Sequence, residues 1–369
     1  MVYLDNAATG FPKSNAVWEA MRQAFLSCGN PSRSSHAYAR NADEILYRCR
    51  VLLAERFGAL PEGVVLTKNA TEALNLAVKG LYREGGEVLT SDMEHNAVLR
   101  PLHALRAAGK ITVKQFHVSL SDDHVTVENF RLAAGKTVSM AVVTHASNVC
   151  GRVLPLKEMR EAVNRKDLLL VADCSQTAGH FPIDIRLLGA DVICIPGHKG
   201  FYGPMGTGAL ICHPERHLQF RTLLEGGSGI QSLSMQMPDS LPERLEAGTP
   251  NVCGFAGLAA ALEEFAYPQQ ESQLADALVE ALGKRSDIRL YGLGGRGRYV
   301  PVVLFNQKGV DCEVLAERLA EKGIAVRGGF HCAPAAHRAL GTKEQGGVRV
   351  SLGRSNTRED LRAFLEALG

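Results

Sequence analysis

The stretch from residue 168 to residue 208 constrains this chain more than any other. It contains two short apolar runs, at residues 168–172 and 192–195, of the kind that form buried parallel strands. Asp173 directly follows the first run, and a glycine turn carrying Lys199 follows the second. Because ligands of open α/β sheets bind at the carboxyl ends of strands, we expect both charged side chains at one ligand site.

A carboxylate and a lysine at two strand ends are the groups that a pyridoxal phosphate enzyme needs most. The lysine forms a Schiff base with the aldehyde, and the acid keeps the pyridinium nitrogen protonated so that the ring can withdraw electrons. Taken singly, Asp173 is expected to cap a turn and Lys199 to be solvated, since most charged residues lie at the surface. Their pairing, with His198 beside the lysine and glycines in both loops, favours the cofactor site.

The composition excludes several classes of protein. The chain has 369 residues, 46% of them hydrophobic and 22% charged, which is ordinary for a globular protein. The formal net charge is +2, so no charge excess points to nucleic acid or to an anionic membrane. No apolar run approaches the roughly 20 residues of a membrane span. The N-terminus lacks the basic and apolar regions of an export signal, so we expect a cytoplasmic protein.

The cysteines indicate a reducing compartment. There are nine, an odd number, and no two are spaced as C-x-x-C. This pattern argues against a disulfide framework and a zinc ribbon, and we predict no metal site. Most of them, such as Cys194 and Cys212 within apolar runs, are expected to be small core residues.

Strand-like and helix-like segments alternate through most of the chain, which predicts βαβ units and a mostly parallel sheet. After residue 249 the pattern changes to that of a separate α+β layer. We place a large cofactor-binding domain at residues 14–267 and a small domain at residues 1–13 with 268–369. The predicted helices are 15–26, 37–57, 72–81, 97–107, 156–163, 255–265, 271–282 and 311–322, and the further predicted strands are 64–67, 87–90, 138–144, 302–305, 324–326 and 348–352.

Three further segments carry side chains suited to a flat, phosphorylated cofactor. Thr71 lies where a strand gives way to a helix, and free N–H groups at a helix N-terminus bind phosphate. His95 follows another strand and is able to stack on a ring and to shuttle a proton in catalysis. Asn148 follows a third strand and is able to donate to a phenolate oxygen. Each has a simpler alternative: a helix cap, a helix start and a turn residue, respectively.

A loop at residues 327–334 carries the cysteine that we expect to be reactive. Its glycines and Pro334 keep it from forming a helix. With Arg327 and His331 nearby, Cys332 is a candidate for an exposed thiolate, the alternative being a buried structural cysteine.

Arg349 interrupts an apolar strand and therefore requires a partner. A substrate carboxylate held by the guanidinium would serve, and so would an internal Asp or Glu.

These segments together resemble the motifs of the cysteine desulfurase family, within the class V (fold type I) pyridoxal phosphate enzymes. The resemblance runs from residue 3 to residue 357 and implies a large domain with a mostly parallel, seven-stranded sheet and a smaller α+β domain. The matching segments are Tyr3-Leu4-Asp5-Asn6-Ala7-Ala8-Thr9, Asn69-Ala70-Thr71-Glu72-Ala73-Leu74-Asn75-Leu76, Glu94-His95-Asn96, Ser147-Asn148-Val149-Cys150-Gly151, Asp173-Cys174-Ser175-Gln176, Gly197-His198-Lys199, Glu246-Ala247-Gly248-Thr249-Pro250-Asn251, the loop at 327–334, and Arg349 through Asn356-Thr357.

The resemblance implies a role for each candidate residue around pyridoxal 5'-phosphate. Lys199 carries the cofactor and moves protons at the substrate Cα, Asp173 binds the pyridinium N–H, and His95 stacks on the ring. The other implied cofactor contacts are Asn148 and Gln176 at the phenolate side, and Ala70, Thr71, His198 and Thr249 of the partner subunit at the phosphate.

The resemblance also implies the reaction. L-cysteine becomes L-alanine, and Cys332 accepts the sulfur as a persulfide, which a sulfur-acceptor protein would then receive. Arg349 takes the substrate carboxylate, with Asn6 and Ala7 also at the substrate, and the active unit is a homodimer. The short loop around Cys332 is similar to the group that includes Suf-type desulfurases and selenocysteine lyase.

Other functions stay open at this point. The same machinery would serve selenocysteine or another β-substituted amino acid, or an aminotransferase reaction. From a different class, the chain could be a catalytically silent interaction subunit or a thiol redox sensor.

The sequence departs from the family pattern in two places. Many relatives have a serine before Gly-His-Lys whose hydroxyl contacts the phosphate, whereas Pro196 offers neither a hydroxyl nor an N–H. The segment Gly200-Phe201-Tyr202 is also one residue longer than the usual Leu-Tyr after the lysine.

Overall fold

The computed structural model of this chain describes residues 1–31, 35–268, 270–293 and 298–369. In that part of the chain the β-strands are β1 (Val2–Tyr3), β2 (Val64–Thr67), β3 (Gly86–Ser91), β4 (Ile111–Phe116), β5 (Val138–Thr144), β6 (Leu169–Asp173), β7 (Val192–Pro196), β8 (Gly208–Cys212), β9 (Ile288–Tyr291), β10 (Val302–Gln307), β11 (Ile324–Ala325) and β12 (Val348–Ser351).

The helices in the same ranges are α1 (Asn15–Ser27), α2 (Ala37–Phe57), α3 (Ala70–Leu81), α4 (Asn96–Ala107), α5 (Asp123–Ala133), α6 (Leu156–Val163), α7 (Ile185–Leu188), α8 (Val252–Glu263), α9 (Gln270–Gly283), α10 (Cys312–Glu321), α11 (Pro334–Ala339) and α12 (Arg358–Leu368), with a single 3-10 turn at Pro61–Gly63. None of these helices in the described ranges is long and apolar enough to cross a membrane.

Seven strands form the central sheet, in the order β2-β8-β7-β6-β5-β3-β4. The neighbours from β7 to β4 pair in parallel, and β8 runs antiparallel to both β7 and β2. The predicted α/β fold with a mostly parallel sheet is thereby confirmed. Since β6 and β7 are parallel neighbours, their carboxyl ends meet at one edge of the sheet.

Both faces of this sheet are covered by apolar side chains. Every residue of β5 is buried, and its side chains alternate between two layers. Ala141 and Val143 join the layer that α2 covers, whereas Met140 and Val142 join the layer that α3 and α4 cover. This two-sided burial explains why the strand reads as a continuous apolar run rather than an alternating one.

A second, smaller β-layer lies in the C-terminal part of the chain. Strands β9, β10 and β12 form an antiparallel sheet, and β1 pairs in parallel with β11. Leu4 packs into the same apolar cluster as side chains of α9, α10 and α12, so the N-terminal segment joins the C-terminal layer. The division at residues 13/14 and 267/268 stays a prediction.

Every predicted helix and strand is present, and several bounds differ for local reasons. The helix expected from residue 72 begins at Ala70, because the side chain of Asn69 caps it by accepting from the N–H of Glu72. The strand expected at 168–172 ends one residue later, which makes Asp173 its last residue. The strands and α-helices that were not predicted are β1, β4, β8, β9, α5, α7, α11 and α12.

Candidate active site

Asp173 and Lys199 lie at the same edge of the sheet, as predicted. Asp173 is only 3% exposed, and its Oδ1 accepts from the N–H and the hydroxyl of Ser175, which orients the carboxylate. The pKa of Lys199 is lowered to about 8, chiefly by burial; the charge of Asp173 opposes this effect, and the positive charges of Arg349 and Arg327 add to it. A lysine with such a pKa supplies a neutral, nucleophilic amine near neutral pH.

The two residues line one cavity together with six other residues that were predicted to contact the cofactor. Its walls come from the ends of β5, β6 and β7 and from the starts of α3 and α4. The lining residues are Asn69, Ala70, Thr71, His95, Ala97, Thr144, Ala146, Asn148, Asp173, Ser175, Gln176, Pro196, His198 and Lys199. Thr249 is not among them, and it lies exposed in the loop between β8 and α8.

The start of α3 forms the anion-binding end of this cavity. Among the described residues no acceptor is found for the N–H groups of Ala70 and Thr71, so they remain available to a ligand. Gly208 allows the strand to pass close to the helix start, since a Cβ there would lie 2.8 Å from the backbone of Asn69. Pro196 also lines the cavity and contributes no hydroxyl. A phosphate fits this end through backbone donors and the helix dipole.

His95 occupies the position just before α4 and lines the cavity as well. Its Nδ1 accepts from the N–H of Ala97 at 3.0 Å, so the simpler alternative, a histidine that begins a helix, also holds. Burial, followed by the charge of Lys199, lowers the pKa of His95 to about 4. The ring is therefore neutral near pH 7, with its proton on Nε2.

His198 is likewise neutral, because burial and then Lys199 lower its pKa to about 4. Its Nδ1 lies 3.2 Å from the hydroxyl of Thr9, and its carbonyl accepts from Nζ of Lys13 at 3.0 Å. The N-terminal segment thus fixes the turn that carries the lysine. Neither Thr9 nor Lys13 was predicted at the site. Both are far from His198 in sequence, and no local pattern indicates that they contact it in the folded protein.

The amides of Asn148 and Gln176 connect the cavity with other segments. Nδ2 of Asn148 donates to the carbonyl of His331 at 2.8 Å, and Nε2 of Gln176 donates to the carbonyl of Ala7 at 3.0 Å. Each amide nitrogen retains a second N–H for a ligand. Asn6 is not at the cavity wall, and its side chain contacts Ser351 and Asn356 instead.

Arg349 is buried and finds the internal partner that the sequence left open. Its Nη2 donates to Oδ1 of Asp5 at 2.7 Å, and its Nη1 donates to the carbonyl of Asn148 at 3.1 Å. No partner for its Nε occurs within the described ranges. Arg327 contacts the other oxygen of Asp5 at 2.9 Å, so one carboxylate joins two guanidinium groups. Asp5 is a site residue that the sequence reading did not single out.

Cys332 is exposed, whereas the other eight cysteines are buried or half-buried, and all nine are free thiols. It opens into a groove that shares Thr71, His95 and Ala97 with the cavity. Lys79 lies farther along this groove. The thiol is therefore placed at the mouth of the cavity that holds Asp173 and Lys199, and the alternative of a buried structural cysteine is wrong.

The extra residue after the lysine also has a defined place. Tyr202 adopts a left-handed backbone with φ of 59°, and its ring is buried. Its hydroxyl accepts from the N–H of Arg354 at 2.8 Å, and the Arg354 guanidinium lies over the ring at 4.1 Å. The longer segment thereby links the lysine turn with the chain that follows β12.

Comparison with known proteins gives matches over the whole chain. Residues 2–364 match the family model "Aminotransferase class-V". A probable cysteine desulfurase of Methanothermobacter thermautotrophicus is 32% identical, with 100% of this chain and 94% of the relative covered. The cysteine desulfurase IscS of Dictyoglomus turgidum is 30% identical, with 100% and 93% covered. Among solved structures, the apo cysteine desulfurase of Thermococcus onnurineus NA1 superposes with a TM-score of 0.90 at 30% identity, covering 100% of this chain and 93% of that one. The cysteine desulfurase CsdA of Escherichia coli gives 0.87 at 30% identity, with 100% and 93% covered.

Proposed function

Because this chain belongs to the aminotransferase class-V family, we propose that it is a pyridoxal phosphate-dependent cysteine desulfurase that converts L-cysteine to L-alanine. One observation carries the proposal. The cavity that unites Asp173 and Lys199 opens directly onto the groove that presents Cys332. An aminotransferase would have no use for that exposed thiol.

The residues of the cavity fit the cofactor. Pyridoxal phosphate supplies an electron-withdrawing ring that stabilises negative charge at the substrate Cα. Lys199 would hold it covalently and then take up or return the proton at that carbon. Asp173, oriented by Ser175, would keep the ring nitrogen protonated, and the N–H groups of Ala70 and Thr71 would hold the phosphate.

The remaining contacts follow the same arrangement. His95 would lie against the ring, with Asn148 and Gln176 at its oxygen side and His198 near the phosphate. Arg349 would bind the substrate carboxylate, with Asn6 and Ala7 behind it. Arg349 already contacts Asn148 through a backbone carbonyl, so the carboxylate and cofactor contacts would be mechanically coupled.

The sulfur step involves Cys332. Its thiolate attacks the sulfur of the substrate, so an S–S bond forms while the C–S bond breaks. The substrate carbon keeps the electron pair of the broken bond and is protonated, which gives alanine and an enzyme persulfide. An acceptor would reach the persulfide through the groove, where Lys79 and Arg100 favour a partner with acidic groups.

The direct test incubates the cofactor-loaded protein with L-cysteine and a thiol reductant, and measures alanine and sulfide in equal amounts. L-selenocysteine in a parallel reaction identifies a lyase preference. Conversion of cysteine to its keto acid, with the amino group passed to an added keto acid and no sulfide released, would instead indicate an aminotransferase. A silent interaction subunit or a redox sensor would form no alanine with either substrate.

A further inference from the structure

The backbone that carries Cys332 is strained. His331 and Cys332 are consecutive non-glycine residues in the left-handed region, with φ of 51° and 55°. Such a conformation is unfavourable for a non-glycine residue and persists only where the surroundings hold it. Contacts on both sides of the loop hold this pair.

One contact comes from the groove at the start of α4, and a second comes from the cofactor cavity. The carbonyl of Cys332 accepts from the N–H of Asn96 in the first turn of α4 at 2.8 Å. The carbonyl of His331 accepts from Nδ2 of Asn148 at 2.8 Å. These bonds fix the two carbonyl groups of the pair. The His331 ring is held by other contacts, which lie on the side of the loop away from the cavity.

A buried chain of hydrogen bonds holds that ring, and its direction can be derived. Nε2 of His331 lies 3.1 Å from the carbonyl of Arg327, which only accepts, so Nε2 carries a proton. Nδ1 of the neutral ring is then an acceptor, and it lies 3.2 Å from Nε2 of His337. His337 must therefore donate through Nε2 and accept through Nδ1.

Thr342 completes the chain. Its hydroxyl lies 2.7 Å from Nδ1 of His337 and donates to it. The competing acceptor, the carbonyl of His337, lies at 3.3 Å and already takes the N–H of Thr342 at 2.8 Å. The order is thus Thr342 to His337 to His331 to the carbonyl of Arg327, with every polar atom of the two rings satisfied.

The two rings stay neutral, as this order requires. Burial lowers the pKa of His331 to about 3, with a further effect of Arg349, and burial lowers that of His337 to about 4. The rings are nearly parallel, with an interplanar angle of 14°, and both His337 and Thr342 are fully buried. No solvent competes for these bonds, so they set the geometry of the loop.

We propose that His337 is a positioning residue for the reacting thiol, which holds His331 and Cys332 in the strained conformation that presents the thiol to the cavity mouth. The role rests on the proposed desulfurase function. His337 lies behind the loop and does not line the cavity, so it acts through His331.

The test compares the cofactor-loaded enzyme with His337→Phe, which keeps a flat ring and removes both hydrogen bonds. Amide hydrogen exchange of residues 328–334 is expected to rise about tenfold, since losing one or two net hydrogen bonds shifts a local equilibrium by that order. The kcat with L-cysteine should fall about tenfold for the same reason. The concentration of cysteine that half-saturates the change in cofactor absorbance should stay the same.

Three further variants separate positioning from simple stability. His337→Gln is expected to restore both readouts in large part, because its amide nitrogen replaces Nε2 as the donor to His331. Thr342→Val breaks the far end of the chain and provides the test if His337→Phe does not fold. Thr126→Val is the matched control, because like Thr342→Val it removes a fully buried threonine hydroxyl. The Thr126 hydroxyl accepts from the N–H of Ser119 at 3.0 Å and, in the described part of the chain, has no contact with the loop that carries Cys332.

Unchanged amide exchange at residues 328–334 in both His337→Phe and Thr342→Val would overturn the proposal. Faster exchange with an unchanged kcat would overturn it as well. If Thr126→Val changed the amide exchange and kcat equally, the effects would reflect general destabilisation of the protein and would also overturn the proposal. If the unaltered enzyme forms no alanine, the desulfurase function itself fails. If it forms alanine while His337→Phe keeps its full kcat, only the role of His337 fails.

Discussion

Asp5 and Arg349 form a buried ion pair, with 2.7 Å between Oδ1 and Nη2, that joins the N-terminal segment to the last strand. The two residues are 344 positions apart in sequence. Burial lowers the pKa of Arg349, and the charge of Asp5 opposes this effect. The carboxylate therefore keeps a guanidinium charged at the point where we expect the substrate to bind.

This arrangement predicts unequal stability effects for the two partners. Asp5→Asn leaves Arg349 buried without a counter-charge and should lower the free energy of unfolding by about 3 kcal/mol. Arg349→Met should cost less, because Asp5 keeps Arg327 as a partner at 2.9 Å. Chemical denaturation of both variants measures the difference. Equal losses, or a larger loss for Arg349→Met, would contradict the shared-carboxylate arrangement.

The lowered pKa of Lys199 predicts the pH dependence of cofactor loading. Only the neutral amine attacks the aldehyde, so the rate of covalent loading should rise with pH and level off above pH 8, where the pKa of Lys199 lies. Stopped-flow absorbance of the apoprotein mixed with pyridoxal phosphate measures this rate. An unperturbed lysine would give a rate still rising near pH 10. Borohydride reduction and intact mass should place one adduct per chain on Lys199, and none in Lys199→Ala.

Asp173→Asn is expected to impair turnover far more than cofactor binding. The variant keeps the shape of the side chain but loses the charge that stabilises a protonated ring nitrogen. Because that charge matters most while negative charge develops in the ring, kcat should fall by about a hundredfold. Cofactor affinity, measured by fluorescence titration, should change much less. Near-normal kcat with cysteine would show that Asp173 is not the partner of the ring nitrogen.

A homodimer in which Thr249 serves the neighbouring site predicts complementation between two damaged chains. Thr249→Ala and Lys199→Ala would each impair their own homodimers. A mixed dimer of the two would contain one site with an intact Lys199 and an intact threonine from the other chain, so mixing should restore activity. Light scattering checks the dimer itself. An active monomer, or mixed dimers no more active than the more active parent, would contradict the arrangement.

The parts of the fold that the sequence predicts best are those with local causes. Strand β5 and helices α2 and α6 have the bounds expected from their apolar patterns. Strand β4 was not predicted, because it lies at the sheet edge and most of its middle residues face solvent or are half-buried. Edge strands carry mixed polar and apolar residues that resemble a loop.

The cavity was predictable for a similar reason. Parallel strands end at a common edge, so polar residues just after apolar runs converge without any knowledge of long-range contacts. The ion pair of Asp5 and the chain through His337 depend on segments that meet only in the folded protein. His337 also sits in a short helix, α11, that carries no periodic apolar pattern.

The role of Cys332 gives the sharpest test of the chemistry. If its thiolate attacks the substrate sulfur, Cys332→Ala should abolish alanine formation from cysteine while the cofactor absorbance still responds to the substrate. Selenium is a better leaving group and can depart without that attack, so activity on selenocysteine is expected to survive the substitution.

Alkylation of the unaltered enzyme provides an independent measurement of the same thiol. Burial raises the pKa of seven of the other cysteines, for example that of Cys49 and of Cys212 to about 12, and Cys28 is half-buried. Iodoacetamide reacts with thiolates, so near neutral pH it should modify Cys332 before the other eight. Peptide mapping by mass spectrometry identifies the first site. If another cysteine reacts first and Cys332→Ala still forms alanine from cysteine, sulfur does not leave through this loop.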